Sequence, residues 1–191
     1  MKLFSLVLGA YLHNLPADEL QNKRIIEIGS GCGVPGIVAA RKGAKVVVTE
    51  LSDELDFLQQ NILANIPDED PVSSNIEVKE LFWGTDTSSL DPPFEIILGA
   101  DVVYEIQLFP ELIQSLRDLC GPNTVILLAL EHRWKDIESW FFADLEKYFI
   151  NHGPLPHDCL DTVYRHPKID IYRLTKRVMN TNEWYFHCVL L

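Results

Sequence analysis

Residues 24–36, Arg-Ile-Ile-Glu-Ile-Gly-Ser-Gly-Cys-Gly-Val-Pro-Gly, constrain the fold more than any other stretch of the chain. Ile25, Ile26 and Ile28 read as a buried strand, and Gly29, Gly31 and Gly33 then alternate without a break. Pro35 suits the first turn of a following helix. Glycine at such a corner permits positive φ and lets backbone approach a ligand closely. Gly31, Gly33 and Gly36 also match the dinucleotide spacing Gly-x-Gly-x-x-Gly, which alone is a weak signal. Two acids sharpen it. Glu27 lies on the strand just before the loop, and a second hydrophobic strand, residues 45–49, ends in Glu50. An acid there can accept hydrogen bonds from ribose hydroxyls. A plain strand–turn–helix corner has no need of so many glycines, so a nucleoside-bearing ligand is expected.

The rest of the chain alternates strand and helix. Residues 4–13 read as an opening helix, with Leu3, Leu6, Val7 and Ala10 at helical spacing. No small-residue cleavage site follows, and residues 16–20 are polar with acids, so this is a helix covering the sheet and not a signal peptide. Residues 14–22 form a polar connection. A helix runs from near Pro35 to Gly43, and Ser52 or Asp53 caps the next, which buries Leu55, Leu58 and Ile62. Further strands are expected at 76–81, 94–100 and 124–130, with helices at 107–120 and 134–148. Gly121-Pro122 ends the first of those helices. Residues 169–174 alternate as a strand, paired antiparallel with 149–152, and 184–190 is a rival for that place. This order predicts an α/β fold: a doubly wound, mostly parallel sheet with helices on both faces. No repeat or linker divides residues 1–191, so one domain is expected, with 1–22 as opening helix and connection and 177–191 as a C-terminal extension.

Composition narrows the partners. The formal net charge is −12, which argues against nucleic acid and suits a basic partner such as a Lys-rich protein segment. Cys32, Cys120, Cys159 and Cys188 show no Cys-x-x-Cys spacing, so neither a metal site nor a disulfide framework is expected. Free thiols fit a reducing compartment, the cytoplasm or also the nucleus. No apolar run is long enough to span a bilayer. A monomer is expected.

Ligands of a parallel α/β sheet sit beyond the C-terminal ends of its strands. Glu27 to Gly33, Glu50, Trp83 and Asp101 all fall at such ends and would meet in one crevice. Glu-x-Gly-x-Gly-x-Gly from Glu27, followed by Glu50, resembles the class I methyltransferases that use S-adenosylmethionine. Asp101-Val102-Val103-Tyr104 resembles the Asp-x-x-Tyr signature of methyltransferase family 16, the seven-strand protein-lysine methyltransferases. Leu81-Phe82-Trp83-Gly84 is similar to that family's Trp-Gly turn. Glu131-His132-Arg133, His166-Pro167 and Tyr172-Arg173-Leu174 also look family-like. The resemblance covers about residues 3–176.

The resemblance implies a Rossmann-like sheet of seven strands with the last antiparallel, S-adenosylmethionine as cofactor, and a protein substrate presenting a lysine. Glu27, Gly29, Ser30, Gly31 and Gly33 would hold the methionine end. Glu50 would bind the ribose, Leu51 would also touch the cofactor, and Trp83 would pack near the adenine. Ala100 and Asp101 would also touch the cofactor, and Asp101 with Tyr104 would shape the lysine channel as the catalytic pair. The sulfonium is already a strong electrophile, so the protein need only place a neutral amine in line with the methyl group. The chain departs from the family at Phe82, where an acid is usual, and at Phe4 and Ser5, near which a Trp is usual. Rival readings are a small-molecule or other N-methyltransferase, a non-catalytic cofactor- or partner-binding module, and a nicotinamide-dependent oxidoreductase. Asp91-Pro92-Pro93-Phe94 matches a motif of methyltransferases acting on planar amino groups. There it follows strand four; here it precedes it, so it reads as a turn.

Overall fold

The structure, a computed structural model, describes residues 3–133 and 135–177. Helices α1 (Leu3–Asn14) and α2 (Ala17–Leu20) precede β1 (Arg24–Ile28), followed by α3 (Val34–Arg41), β2 (Lys45–Glu50) and α4 (Leu55–Asn65). Then come β3 (Ile76–Glu80), β4 (Phe94–Ala100), α5 (Phe109–Leu119), β5 (Cys120–Glu131), α6 (Lys135–Leu145), β6 (Phe149–Pro154) and β7 (Ile169–Lys176).

The strands form one seven-stranded sheet in the order β3-β2-β1-β4-β5-β7-β6. β1 pairs in parallel with β2, Ile25 opposite Val46, and with β4, Ile25 opposite Ile96. β5 extends the parallel set, while β7 runs antiparallel to both β5 and β6. Strand order reverses between β1 and β4, which opens a crevice at the C-terminal ends of these two strands.

Strand alternation divides the apolar residues between two faces. Ile26, Ile28, Ile97 and Leu128 pack under α5 and α6, with Leu112, Leu116 and Phe141. Ile25, Val46, Val48 and Leu98 pack under α1, α3 and α4, with Leu8, Ala39 and Leu58. A sheet covered on both faces explains the nearly unbroken apolar runs.

Several boundaries differ from expectation: α5 runs only Phe109–Leu119 and α6 ends at Leu145. The 14–22 connection contains α2, which buries Leu20. A 3-10 turn, Ile106–Leu108, precedes α5. β5 begins at Cys120 and carries Gly121-Pro122 inside it, because Cys120 already pairs with Phe94 where the ladder shifts register. Proline is tolerated at such an irregularity. β2 extends to Glu50, one residue beyond the expected end. The 149–152 and 169–174 pairing is present in β6 and β7. Trp134, the rival strand 184–190 and the extension from 178 onward lie outside the described residues.

Candidate cofactor and active site

The glycine loop leaves β1 through three left-handed positions, Gly29 (φ 57°), Gly31 (φ 54°) and Gly33 (φ 71°). A Cβ on Gly29 would stand 3.2 Å from both Trp83 Cζ2 and Val102 Cγ1. Its absence lets the ends of β1, β3 and β4 close together. Ser30 locks the loop to β2: its Oγ donates to the Glu27 carbonyl at 3.1 Å and accepts from the Thr49 amide at 3.1 Å. Its own amide donates to the Thr49 carbonyl at 2.9 Å. Thr49 Oγ1 also donates to the Glu27 carbonyl at 2.9 Å.

Glu50 closes the same loop from the other side. Its Oε1 accepts from the Gly31 amide at 3.0 Å and its Oε2 from the Leu51 amide at 2.9 Å. Each carboxylate oxygen has a second lone pair for a further donor.

A cavity of about 400 Å³ opens at this point, within the roughly 300–1,000 Å³ range of small-molecule sites. Gly29, Ser30, Gly31, Glu50, Leu51, Trp83, Ala100, Asp101 and Tyr104, all expected at the site, line it together. The same lining holds Ser5, Cys32, Leu81, Phe82 and Val102, which belong to stretches the sequence reasoning quoted without assigning them to the cofactor, and Glu54, Phe57 and Leu108, which it missed. Phe57 carried a signal: it falls off the buried stripe of α4 and stands 49% exposed. The described lining contains three acids, Glu50, Glu54 and Asp101, and no Lys, Arg or His.

Glu27 and Gly33 stand behind the wall and do not line the cavity. Alternation along β1 sends Glu27 to the same face as Ile25, under α3, where its Oε2 accepts from the Gly36 amide at 2.9 Å. Its Oε1 is buried without a hydrogen-bond partner. Burial pushes the Glu27 carboxyl up to about 8, against the Gly36 hydrogen bond and aided by the negative charge of Glu50. Gly33 caps the start of α3, and a Cβ there would stand 2.9 Å from Leu58 Cδ1. Both residues shape the loop from beneath.

Asp101 follows β4 with a left-handed backbone, φ 62°, and its amide donates to the Ala129 carbonyl at 3.0 Å. Its carboxylate is buried, and Arg133 Nη2 lies 3.3 Å from Oδ1. Tyr104 stands at the rim, 49% exposed. Trp83 both lines the cavity and packs against the core beneath α5. The next amide, of Gly84, donates to Ser115 Oγ at 2.8 Å, which anchors the turn to α5. Asp91-Pro92-Pro93-Phe94 lies at the opposite end of β4, where the Arg24 guanidinium binds Asp91 Oδ2 at 3.0 Å. It is a connection with a bend at Pro92 that leads into β4, and it does not line the cavity.

The fold, the glycine cradle and the paired loop–Glu50 arrangement fit S-adenosylmethionine and define a class I methyltransferase. The chain resembles two solved methyltransferases. One is the glycopeptide N-methyltransferase MtfA complexed with sinefungin, with a TM-score of 0.66 and 13% identity over 88% of this chain and 94% of that one. The other is magnesium protoporphyrin IX methyltransferase from Synechocystis PCC 6803 with bound SAM, with a TM-score of 0.62 and 15% identity over 91% and 79% of the two chains. At these identities the likeness is one of fold.

The sequence carries the finer assignment. A family profile described as lysine methyltransferase matches residues 4–148. The chain is 39% identical over 176 residues to protein N-lysine methyltransferase METTL21A of Mus musculus, covering 91% of this chain and 75% of that protein. It is 33% identical over 173 residues to EEF1A lysine methyltransferase 3 of Xenopus tropicalis, covering 90% and 72%. The chain belongs to the lysine methyltransferase family, and its cofactor is S-adenosylmethionine.

Proposed function

We propose that this chain methylates the ε-amine of a lysine in a protein substrate, with the cofactor along the glycine loop and the lysine entering beside Asp101 and Tyr104. The observation that carries this reading is the single cavity that holds the Gly29–Gly31 loop, Glu50, Asp101 and Tyr104 in one lining. The relatives' own names, each a lysine methyltransferase, support a lysine acceptor.

Ser30 and Gly31 hold the methionine end, over the support that Glu27 and Gly33 give from behind. Glu50 accepts the ribose hydroxyls while it keeps its bonds to Gly31 and Leu51. Leu51 and Trp83 flank the base, with Ala100 on the wall between. The bound sulfonium supplies an electrophilic methyl group. The three lining acids attract a cationic side chain. Desolvation inside the cavity then favours the neutral amine. Asp101 marks where the lysine sits, and the Tyr104 hydroxyl orients its nitrogen. Neither acts as a strong base.

The acidic balance, −12 in all, suits a basic protein segment and no nucleic acid. None of the described helices is long and apolar enough to cross a membrane. A monomer in the cytoplasm, with the nucleus as a second location, completes the reading.

The test is incubation of the protein with hypomethylated cell extract and labelled S-adenosylmethionine, read by mass spectrometry. Label on a protein lysine is the expected result. Label confined to small molecules would favour the rival N-methyltransferase reading. Cofactor binding with no transfer at all would favour a non-catalytic module.

A further inference from the structure

We propose that Arg133 is a positioning residue for methyl transfer: it fixes the Asp101 carboxylate in the cavity wall and ties the first turn of α1 to it. The guanidinium makes three contacts with three elements. Nη2 lies 3.3 Å from Asp101 Oδ1, at the end of β4. Nε donates to Glu131 Oε2 at 2.8 Å, at the end of β5. The planar group stands over the Phe4 ring of α1, 5.2 Å from its centroid. Phe4 is buried, and Ser5 beside it lines the cavity. Arg133 is not in that lining, so it acts through Asp101 and Phe4.

Its own mount is firm. The Arg133 amide donates to Glu138 Oε1 at 3.1 Å. The preceding ring, His132, sits between Glu138 Oε2 at 2.6 Å and Asp170 Oδ2 at 2.8 Å. The His132 amide donates to the Lys168 carbonyl at 2.8 Å. The loop that presents the guanidinium is thereby pinned to α6 and to β7. The left-handed backbone at Asp101 fixes where that side chain begins, and the ion pair helps set where it ends. Only a planar fork reaches Asp101 and Glu131 through different nitrogens while its face covers an aromatic ring; a lysine ammonium does not.

The chemical consequence rests on the reading of Asp101 as part of the lysine end. A carboxylate free to swing would follow an arriving ammonium and hold it off the line of transfer. A carboxylate held by Arg133 is a fixed point against which the amine is aligned, and misalignment by about 1 Å can cost about a hundredfold.

The experiment compares wild type, Arg133→Gln, Arg133→Lys, Asp101→Asn and the double variant Arg133→Gln/Asp101→Asn. Calorimetry with S-adenosylmethionine counts competent sites. Initial rates with labelled cofactor and hypomethylated cell extract give apparent kcat and KM per competent site. Hydrogen–deuterium exchange reads the amides of residues 5–9 in α1.

Arg133→Gln should keep its cofactor stoichiometry, lose about ten- to a hundredfold in kcat per site, and exchange faster in α1. Arg133→Lys should fall between it and wild type. The double variant should be no slower than Asp101→Asn, because Arg133 acts through Asp101. Additive losses, or lower thermal stability with kcat per site intact, would overturn the proposal. If Arg133→Gln does not fold, the same cycle with Arg133→Lys decides it. Wild-type rates in Asp101→Asn would instead sink the reading of Asp101 and this inference with it. If wild type labels nothing, the proposed function fails, and unchanged α1 exchange in Arg133→Gln would still refute the tie.

Discussion

Glu50 and Gly31 are joined at 3.0 Å, carboxylate to amide, so the end of β2 and the glycine loop after β1 share one hydrogen bond at the mouth of the cavity. Because the second oxygen holds the Leu51 amide, the carboxylate is pre-oriented before any ligand arrives. Glu50→Ala should therefore weaken S-adenosylmethionine binding by about 1.5 to 3 kcal/mol, the scale of charge-assisted hydrogen bonds. The fold should persist, since the residue sits at a rim and not in a core cluster. Calorimetry on wild type and variant checks this, and equal affinities would remove Glu50 from the ribose role.

Glu27 predicts a pH dependence in the cofactor-free protein. Its carboxyl is raised by burial to about 8 from an ordinary 4.5. Between these values the folded state keeps a proton that the unfolded state has released. Stability from this group is thus complete below pH 4.5, falls as pH rises, and levels off above about 8. Glu27→Gln cannot titrate and keeps an oxygen for the Gly36 amide. Its urea midpoint should be flatter than wild type across that window. Parallel slopes for the two proteins would show that Glu27 is not protonated in the folded state.

The contrast between Glu50 and Glu27 shows what was legible in the sequence. The strands declared themselves through apolar runs, and the glycine loop through its spacing, because both signals are local. Residues at C-terminal strand ends could be gathered into one crevice by topology alone. Which way Glu27 points was not legible: with both faces of the sheet buried, neither polarity nor alternation says which face meets the ligand. The Gly121-Pro122 break misled because a register shift accommodates it inside β5. Glu131-His132-Arg133 was noticed, but the Arg133 contacts to Asp101 and Phe4 join residues far apart in the chain, which no local pattern encodes.

His132 carries a second, separable pH effect. Glu138 on α6 faces its Nδ1 at 2.6 Å, and Asp170 on β7 faces its Nε2 at 2.8 Å. The other oxygen of Asp170 binds His157 Nε2 at 2.8 Å, and the Tyr172 ring lies edge-on to His132 at 6.3 Å. Only the imidazolium can donate from both nitrogens at once. Burial opposes its charge, yet the hydrogen bonds to Asp170 and Glu138 outweigh it and raise His132 above the ordinary 6.5. Its contribution is then complete below pH 6.5 and is lost as pH rises through the folded value. His132→Asn should lower the thermal midpoint in mild acid and converge on wild type in alkali. A constant gap between the two at every pH would mean that packing and not charge holds the ring.

Tyr104 separates catalysis from binding most cleanly. It stands at the rim of the cavity, 49% exposed, on the segment that Asp101 opens. Its ring contributes lining area, and its hydroxyl contributes a polar atom that can orient an amine there. Tyr104→Phe keeps the first and removes the second. A lost hydrogen bond to a reacting nitrogen should raise the barrier by about 1.5 kcal/mol, roughly tenfold in kcat. Affinity for S-adenosylmethionine should not change, because the hydroxyl is assigned to the acceptor and not to the cofactor. Thermal stability should also stay level, since so exposed a ring has little packing to lose. The measurement pairs calorimetry with the rate of label transfer to protein lysine, for wild type and variant under one set of conditions. A fall in both quantities would move Tyr104 to the cofactor's side of the cavity. Equal rates would leave the ring as lining and pass the orienting role to Asp101.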